Sequence, residues 1–154
     1  RVRYCTTPIS RNPVLAGLKT LNRLEQVMAR AEWNDTKIVE GLMLNDRQEV
    51  ISGTMTNIFF AQNGVLFTPR LTECGINGIM RQQVLMVAES QGIEVRQMAV
   101  SKTALSSADE IFLTNALIGL WPVHDLDCQA FTQGSLGVAI CKGLAAGGVM
   151  ECAP

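Results

Sequence analysis

Apolar residues recur every three or four positions in two segments of the chain, and this spacing predicts two amphipathic helices. The first helix is predicted over residues 20 to 33, with one buried face that consists of Leu21, Leu24, Val27, Met28 and Ala31. The second is predicted over residues 78 to 91, where Asn77 is in position to cap the first turn and Gly92 to end the last.

Runs of β-branched and aromatic residues between turn-forming residues predict strands. A strand near the amino terminus is closed by Pro8. Three more runs follow the first helix, at residues 37 to 46, 49 to 64 and 65 to 70, and the turn sequences NDRQ and QNG separate them. Such closely spaced runs predict an antiparallel meander.

Strands and helices also alternate in the remainder of the chain. We predict a strand over residues 93 to 100, a short helix from about Ser101, a pair of strands over residues 110 to 127 and a glycine-rich helix from about residue 133. Hairpins and segregated helices of this kind indicate an α+β domain with a mixed or antiparallel sheet and packed helices. The sequence has no GxGxxG motif, so a dinucleotide-binding βαβ unit is not predicted.

The amino-acid composition limits the kinds of molecule that this protein is expected to bind. Of the 154 residues, 47% are hydrophobic and 18% are charged, which favours one domain with a well-buried core or a substantial subunit interface over disorder. The net charge is −1 and the lysines and arginines are scattered, so we expect no nucleic-acid partner. No apolar run reaches membrane-spanning length, and we therefore expect a soluble protein with no membrane partner.

The cysteines and the single histidine argue against a metal centre. The five cysteines are widely spaced without a CxxC pair, and His124 is the only histidine. An odd number of unpaired cysteines indicates reduced thiols in the cytoplasm. One histidine cannot form a multi-histidine metal site and weakens any Ser-His-Asp interpretation, so we expect no metal.

Lys19 lies in a segment of low charge just before the first predicted helix. An isolated lysine at such a position usually extends into solvent. A desolvated lysine amine, in contrast, is a nucleophile that forms a Schiff base with a carbonyl compound. The residues around Lys19 leave both roles open.

The start of the second predicted helix is another candidate site. Gly75 and Gly78 precede this helix, and the backbone amides of Gly78, Ile79 and Met80 are in position to point together at an anion. An ordinary junction between a loop and a helix uses the same residue types. The LTNAL segment at residues 113 to 117 either completes such an anion site or forms a polar turn.

Three segments taken together resemble a known family. The sequences AGLKTLNRLEQV, TPRLTECGINGIMRQ and IFLTNALIGLWPV are similar to the signatures of fold type IV pyridoxal-phosphate enzymes, and within that group to the aminodeoxychorismate lyases. The resemblance spans residues 1 to about 125. It implies that residues 1 to 154 are the large carboxy-terminal domain of such an enzyme. It also implies pyridoxal 5'-phosphate as cofactor and β-elimination from aminodeoxychorismate, giving p-aminobenzoate and pyruvate in folate biosynthesis.

The resemblance also implies roles for individual residues. Lys19 is expected to be catalytic, as the lysine that forms the Schiff base with the cofactor and exchanges a proton with the substrate. The residues expected to bind the cofactor phosphate are Gly78, Ile79, Met80, Thr114, Asn115 and Ala116.

Ser52 departs from the family pattern. Counted back from Asn57 and Phe59 in the family sequence xxEGxxxN(I/L)F, Ser52 stands where the family has a glutamate that keeps the pyridine nitrogen of the cofactor protonated. A hydroxyl can hydrogen-bond this nitrogen but cannot supply a full negative charge. We therefore expect Ser52 to bind the cofactor in a way that is compatible with a lyase and unfavourable for transamination.

The family's smaller amino-terminal domain is not found in these 154 residues, and it would supply half of the substrate site. We therefore expect this chain alone to be inactive or nearly so. The resemblance implies that the full-length enzyme is a homodimer. Two alternatives to the lyase are a fold type IV amino-acid aminotransferase and a folded fragment without catalytic function.

Overall fold

The computed structural model describes residues 1–152, which form two five-stranded sheets. In the first sheet the strand order is β10-β9-β1-β2-β3. Strand β1 pairs in parallel with β2 and β9, and the other two pairings are antiparallel. The strands of this sheet are β1 (Val2–Tyr4), β2 (Glu40–Leu44), β3 (Val50–Gly53), β9 (Asp125–Leu126) and β10 (Gln129–Ala130).

The second sheet has the strand order β6-β5-β4-β7-β8. Strands β5 and β6 are parallel, and the remaining pairs are antiparallel. The strands of this sheet are β4 (Asn57–Gln62), β5 (Val65–Pro69), β6 (Val95–Met98), β7 (Glu110–Asn115) and β8 (Gly119–Pro122). The two mixed sheets and their helices confirm the predicted α+β class.

The helices of the described residues lie between strands or after the last one. They are α1 (Leu24–Arg30), α2 (Ile79–Ser90), α3 (Lys102–Ser106), α4 (Ser135–Ala146) and a 3-10 turn at Met150–Cys152. As predicted, α3 begins after Ser101, whose side chain accepts a hydrogen bond of 3.1 Å from the Ala104 amide. Within residues 1–152, every helix is too short or too polar to cross a membrane.

Successive side chains of a strand point to opposite faces of the sheet, and this separates the interior into layers. Ile58 and Phe60 on β4 face a core that both sheets share, whereas Phe59 faces a second core with α2 and α4. On the other side of the molecule, Met43 packs with Ala29 and Trp33. The order of layers is therefore the α1 region, the first sheet, the second sheet, and the α2–α4 pair.

The first predicted helix differs from the observed one in length and orientation. Helix α1 begins at Leu24 instead of residue 20, and Ala29 is its buried residue. The face predicted to be buried is exposed: Leu21 is fully accessible and Leu24 and Val27 are more than half exposed. The pattern was a correct sign of a helix, but the described part of the chain provides nothing that covers this face.

Two further predictions need correction. The meander is interrupted, because β3 and β4 belong to different sheets and the chain changes sheet at Thr54–Thr56. Helix α2 is capped by Gly78 instead of Asn77, whose side-chain oxygen accepts a hydrogen bond of 2.8 Å from Arg81 Nη1. The predicted end of α2 at Gly92 is confirmed by a left-handed φ of 67° after the last helical residues.

Candidate functional site

A cavity of about 350 Å³, called the cleft below, lies where β3 and β7 end and α2 begins. Its size is within the usual range for a small-molecule site. The structure brings most of the predicted site residues together here, although they are far apart in sequence. The predicted residues that line the cleft are Lys19, Ser52, Gly78, Ile79, Met80, Asn115 and Ala116.

Lys19 is placed in the cleft by hydrogen bonds between two loops. The Gly17 amide donates to the Gly75 carbonyl over 2.9 Å, and the Asn77 amide donates to the Gly17 carbonyl over 3.0 Å. Gly17 and Gly75 both have left-handed φ angles, 83° and 86°, which glycine adopts without strain. The Lys19 side chain is exposed and forms no hydrogen bond or ion pair with the residues that the structure describes.

The start of α2 has the features of an anion site. Asn57 Nδ2 donates a hydrogen bond of 2.7 Å to the Ile76 carbonyl, which fixes the loop before the helix. A Cβ at position 78 would displace Asn57 Oδ1, which favours glycine there, and the Gly78 amide donates a hydrogen bond of 3.0 Å to the Ile76 carbonyl. None of the described residues accepts a hydrogen bond from the amides of Ile79 or Met80. These two amides are therefore free to bind an anion at the positive end of the helix dipole.

Ser52 lies at the end of β3 and is 8% exposed. Its Oγ donates a hydrogen bond of 2.9 Å to the Gly53 carbonyl. The charged side chains that line the cleft are those of Lys19 and Arg23, and none of the described lining residues is acidic. A ligand in the cleft therefore meets two cations, with no carboxylate beside them.

Buried Glu40 fixes the turn between β3 and β4, which forms part of the cleft. Its carboxylate accepts hydrogen bonds from the Thr54 amide (3.0 Å), the Thr54 hydroxyl (2.6 Å), the Met55 amide (3.1 Å) and the Thr56 hydroxyl (2.9 Å). A side chain at Gly53 would collide with this carboxylate and with Thr56 Oγ1. The turn is thus held by a carboxylate whose lone pairs are already used.

The residues predicted from the LTNAL segment separate into two groups. Asn115 Oδ1 accepts hydrogen bonds from the amides of Leu117 (2.8 Å) and Ile118 (3.0 Å), which shapes the turn that carries Ala116 along the cleft. Thr114 is fully buried on β7, its hydroxyl has no hydrogen-bond partner among the described residues, and it does not line the cleft. Its predicted contact with a phosphate stays a prediction.

Sequence reasoning missed Arg23 and Gln26, which also line the cleft. Arg23 Nη2 donates a hydrogen bond of 3.0 Å to the Thr54 carbonyl, and burial lowers the pKa of its guanidinium. The side-chain oxygen of Gln26 is buried without a partner among the described residues. The sequence near these residues gives no clear signal of this role, because Lys19 and Arg23 precede α1 and meet Gln26 in the cleft only through the fold.

The site combines an amine, an anion-binding helix start and a partly apolar cavity. Met55, Ile79 and Leu117 supply apolar surface at its edge. The described residues contain no group of three or more histidine, cysteine or carboxylate side chains that could hold a metal ion. The donor set therefore suits an anionic organic molecule with a group that reacts with an amine.

Comparison with known proteins identifies the family of this chain. Residues 1–126 match the family model for amino-transferase class IV. An aminodeoxychorismate lyase of Vibrio harveyi is 40% identical over 122 residues, which are 79% of this chain and 45% of that protein. The chain spans about half the length of the curated relatives that it matches.

Solved structures show the same fold. The crystal structure of 4-amino-4-deoxychorismate lyase from Pseudomonas aeruginosa is 40% identical, with a TM-score of 0.93 over 98% of this chain and 55% of that one. The branched-chain aminotransferase of Thermoproteus uzoniensis, solved with norvaline, is 24% identical, with a TM-score of 0.90 over 98% of this chain and 52% of that one. The family match over residues 1–126, most of the length, shows that the chain belongs to the class IV aminotransferase family.

Proposed function

We propose that the cleft binds pyridoxal 5'-phosphate. The amine of Lys19 would hold it by condensing with its aldehyde, with loss of water, and the start of α2 would hold its phosphate. The observation that carries this proposal is the pair of hydrogen bonds between Gly17 and the loop before α2, because it brings the Lys19 amine and the free amides of Ile79 and Met80 to one cavity. The amides of Ile79 and Met80 have no acceptor among the described residues, which supports a phosphate at the start of α2.

The reaction that we propose for the longer protein is the conversion of 4-amino-4-deoxychorismate to p-aminobenzoate and pyruvate. When bound, the cofactor withdraws electrons from the substrate and weakens its C–H bond. Among the described residues that line the cleft, Lys19 carries the amine, a type of group that serves as general acid and base, whereas the guanidinium of Arg23 stays protonated. Lys19 therefore holds the substrate proton during elimination.

Ser52 favours elimination over transamination in this proposal. Its hydroxyl lies in a cleft without a lining carboxylate and now donates to the Gly53 carbonyl. By rotating, the hydroxyl would donate its one proton to a pyridine nitrogen instead, and it supplies no negative charge that favours protonation of that nitrogen. Transamination needs the strongest electron withdrawal by the ring and is expected to suffer most. This argument, together with the 40% identity to two lyases, supports the lyase over the aminotransferase reaction.

The proposal has a direct test that does not need turnover. The chain is mixed with pyridoxal 5'-phosphate, reduced with borohydride, digested and analysed by mass spectrometry for a pyridoxyl group on lysine. We expect the group on Lys19 and its loss in Lys19→Ala, whereas the control Lys37→Ala, which changes an exposed lysine outside the cleft, keeps it. Labelling that is spread over all lysines, or absent, would favour a folded fragment without catalytic function.

A second assay separates the two reactions in the longer protein that contains this chain. The lyase is detected by release of p-aminobenzoate, and an aminotransferase by conversion of the bound cofactor to its amine form by an amino acid. We expect the first signal from the native sequence. Ser52→Glu is expected to raise the second signal relative to the first, because a carboxylate favours the protonated pyridine.

The same proposal includes a homodimer in the cytoplasm that acts in folate biosynthesis. Support for the dimer comes from the apolar side chains that α1 and the preceding residues expose, among them Leu21, Leu24 and Val27. Sedimentation of the longer protein tests this part separately. A monomer at micromolar concentration would contradict the dimer and leave the cofactor assignment in place.

A further inference from the structure

Arg23 is a partly buried cation whose hydrogen-bonding capacity is largely unused. A guanidinium has five N–H donors. In residues 1–152, Arg23 uses one of them, from Nη2 to the Thr54 carbonyl, and it has no ion-pair partner. Burial lowers the pKa of this group, which means that its charge has lost water without gaining an acidic partner.

Other arginines of the chain are better satisfied. Arg81 is buried in the first turn of α2, and its two terminal nitrogens donate to Asn77, Gln97 and the Pro69 carbonyl. Arg11 forms an ion pair with Asp46. Arg81 also has a buried Nε without a partner in the described residues and a pKa lowered by burial, but both of its terminal nitrogens are hydrogen-bonded. Arg23 differs in that it lines a cavity and donates one hydrogen bond, to the Thr54 carbonyl, which suggests a ligand for its remaining donors.

The wall that carries Arg23 offers a second unused group. The side-chain oxygen of Gln26, one helical turn further on, is buried without a hydrogen-bond partner among the described residues. Both side chains line the cleft with Lys19. The free donors of Arg23 and the free acceptor of Gln26 lie on the same wall of the cleft, and they indicate that a polar group of a ligand binds there.

We infer that Arg23 binds the oxyanion on the ring of the cofactor, next to the carbon that bonds to Lys19. This inference rests on the proposed function. Pyridoxal 5'-phosphate has two anionic groups, the phosphate and the ring oxygen beside the aldehyde. The phosphate is matched by the free amides of α2, and the described cleft has one cation besides Lys19 to match the ring oxygen.

Glu40 and the turn between β3 and β4 act as positioning groups for Arg23. Glu40 fixes the Thr54 amide and hydroxyl, and the carbonyl of the same residue accepts the hydrogen bond from Arg23. The guanidinium is thereby held from the opposite wall of the cleft, with its remaining donors available for the ligand.

The test compares two cofactor forms and two variants. Wild type, Arg23→Gln and the control Arg70→Gln are titrated with pyridoxal 5'-phosphate and with its 3-O-methyl ether, in which the ring oxygen carries no charge. Arg70 is an exposed arginine outside the cleft that also lacks an ion-pair partner among the described residues. For Arg23→Gln we expect affinity for the first compound to fall about tenfold to a hundredfold and affinity for the ether to be unchanged.

A spectroscopic readout accompanies the affinities. The nearby cation favours the ionised ring oxygen, so its removal is expected to raise the pH at which the absorbance of the bound cofactor changes. Arg70→Gln is expected to match the wild type in both measurements. Thermal unfolding of each variant shows whether it is folded before titration.

The outcomes separate this inference from the proposed function. If borohydride labels Lys19 and Arg23→Gln still binds both compounds as the wild type does, with the same pH dependence, Arg23 does not bind the ring oxygen and only this inference fails. If affinity for both compounds falls equally, Arg23 binds another part of the ligand and the inference fails as well. If Lys19 is not labelled in the wild type, the proposed function fails and this inference with it.

Discussion

One wall of the cleft consists of the turn at Thr54–Thr56 and the start of α2, and the other consists of the segment from Lys19 to Gln26. We call them the anchored wall and the α1 wall. The anchored wall is held by a buried carboxylate and by Asn57, and α2 buries Met80, Val84 and Ala88 behind it. The α1 wall is held by the loop at Gly17, and the helix behind it buries one residue.

The difference teaches what an amphipathic pattern does and does not specify. Helices α1 and α2 were predicted from the same spacing of apolar residues, and both exist. The face of α2 packs within the chain, whereas Leu21, Leu24 and Val27 near α1 remain exposed in the described residues. The pattern indicates that a face is to be covered, but it does not tell which molecule or segment covers it.

The largest expected difference between the walls concerns two glutamates that accept backbone amides. Glu40 is fully buried under the anchored wall, and Glu25 on α1 accepts the Ser10 amide at a more exposed position. Glu40→Gln is expected to lower the free energy of unfolding by about 3 kcal/mol, because the amide cannot satisfy all of the donors that now face the carboxylate. Glu25→Gln is expected to change it by less than about 1 kcal/mol.

Urea denaturation of both variants checks this prediction. Equal losses for the two variants would show that the walls are held equally well. The turn at Thr54–Thr56 depends on this carboxylate. A fluorescence or proteolysis signal from the cleft of Glu40→Gln that changes at a lower urea concentration than global unfolding would therefore show that the anchored wall opens first.

A smaller difference is expected from one valine on each helix. Val84 on α2 is fully buried, and Val27 on α1 is 62% exposed. Val84→Ala removes buried methyl groups and is expected to lower the free energy of unfolding by about 2 kcal/mol. Val27→Ala is expected to leave it unchanged or raise it by up to about 0.5 kcal/mol, because alanine has the higher helix propensity.

The valine pair also tests what covers α1. If Val27→Ala lowers the stability of the longer protein while leaving this chain unaffected, the exposed face is covered there. If Val27→Ala lowers the unfolding free energy of this chain itself as much as Val84→Ala does, the exposed face has a partner in solution. The unfolding free energy then depends on protein concentration.

Local structure could be predicted where a pattern and its contacts lie within one segment. Strands β2, β5 and β6, helix α2 with its end at Gly92, and the cap of α3 at Ser101 are examples. Such elements are specified by periodicity and by turn-forming residues that are close in sequence. The start of α1 could not be predicted in this way, because its face depends on contacts that these residues do not contain.

The site shows the same limit at longer range. The resemblance to the family named Lys19 and the start of α2, but the two hydrogen bonds at Gly17 that bring them together, to Gly75 and from Asn77, join residues about sixty positions apart. Arg23 was missed because its significance comes from Thr54 and from the absence of acidic residues around the described cleft. Neither fact is visible in the sequence near Arg23.

The smallest expected effect concerns Glu32, which lies just after α1 and ties it to the loop after β1. Its carboxylate accepts hydrogen bonds from the amides of Thr6 (2.9 Å) and Thr7 (2.7 Å). Desolvation alone would raise the pKa of Glu32, but the hydrogen bonds from Thr6 and Thr7 outweigh it and hold the pKa below its ordinary value. Since the folded state has the lower pKa, Glu32 stabilises the protein above the ordinary pKa of a glutamic acid, about 4.3.

This stabilisation is lost as the pH falls from that value through the lowered pKa of the folded state. We therefore expect the difference in unfolding free energy between wild type and Glu32→Gln to be constant near neutral pH and to shrink as the pH falls below about 4. Urea denaturation at several pH values measures it, with Glu89→Gln on the exposed side of α2 as the control. A difference that stays constant down to about pH 2.5 would mean that the carboxylate of Glu32 contributes no pH-dependent attachment of α1. The α1 wall would then be held by the other contacts, which are the loop at Gly17, the packing of Ala29 and the hydrogen bonds of Arg23 and Glu25.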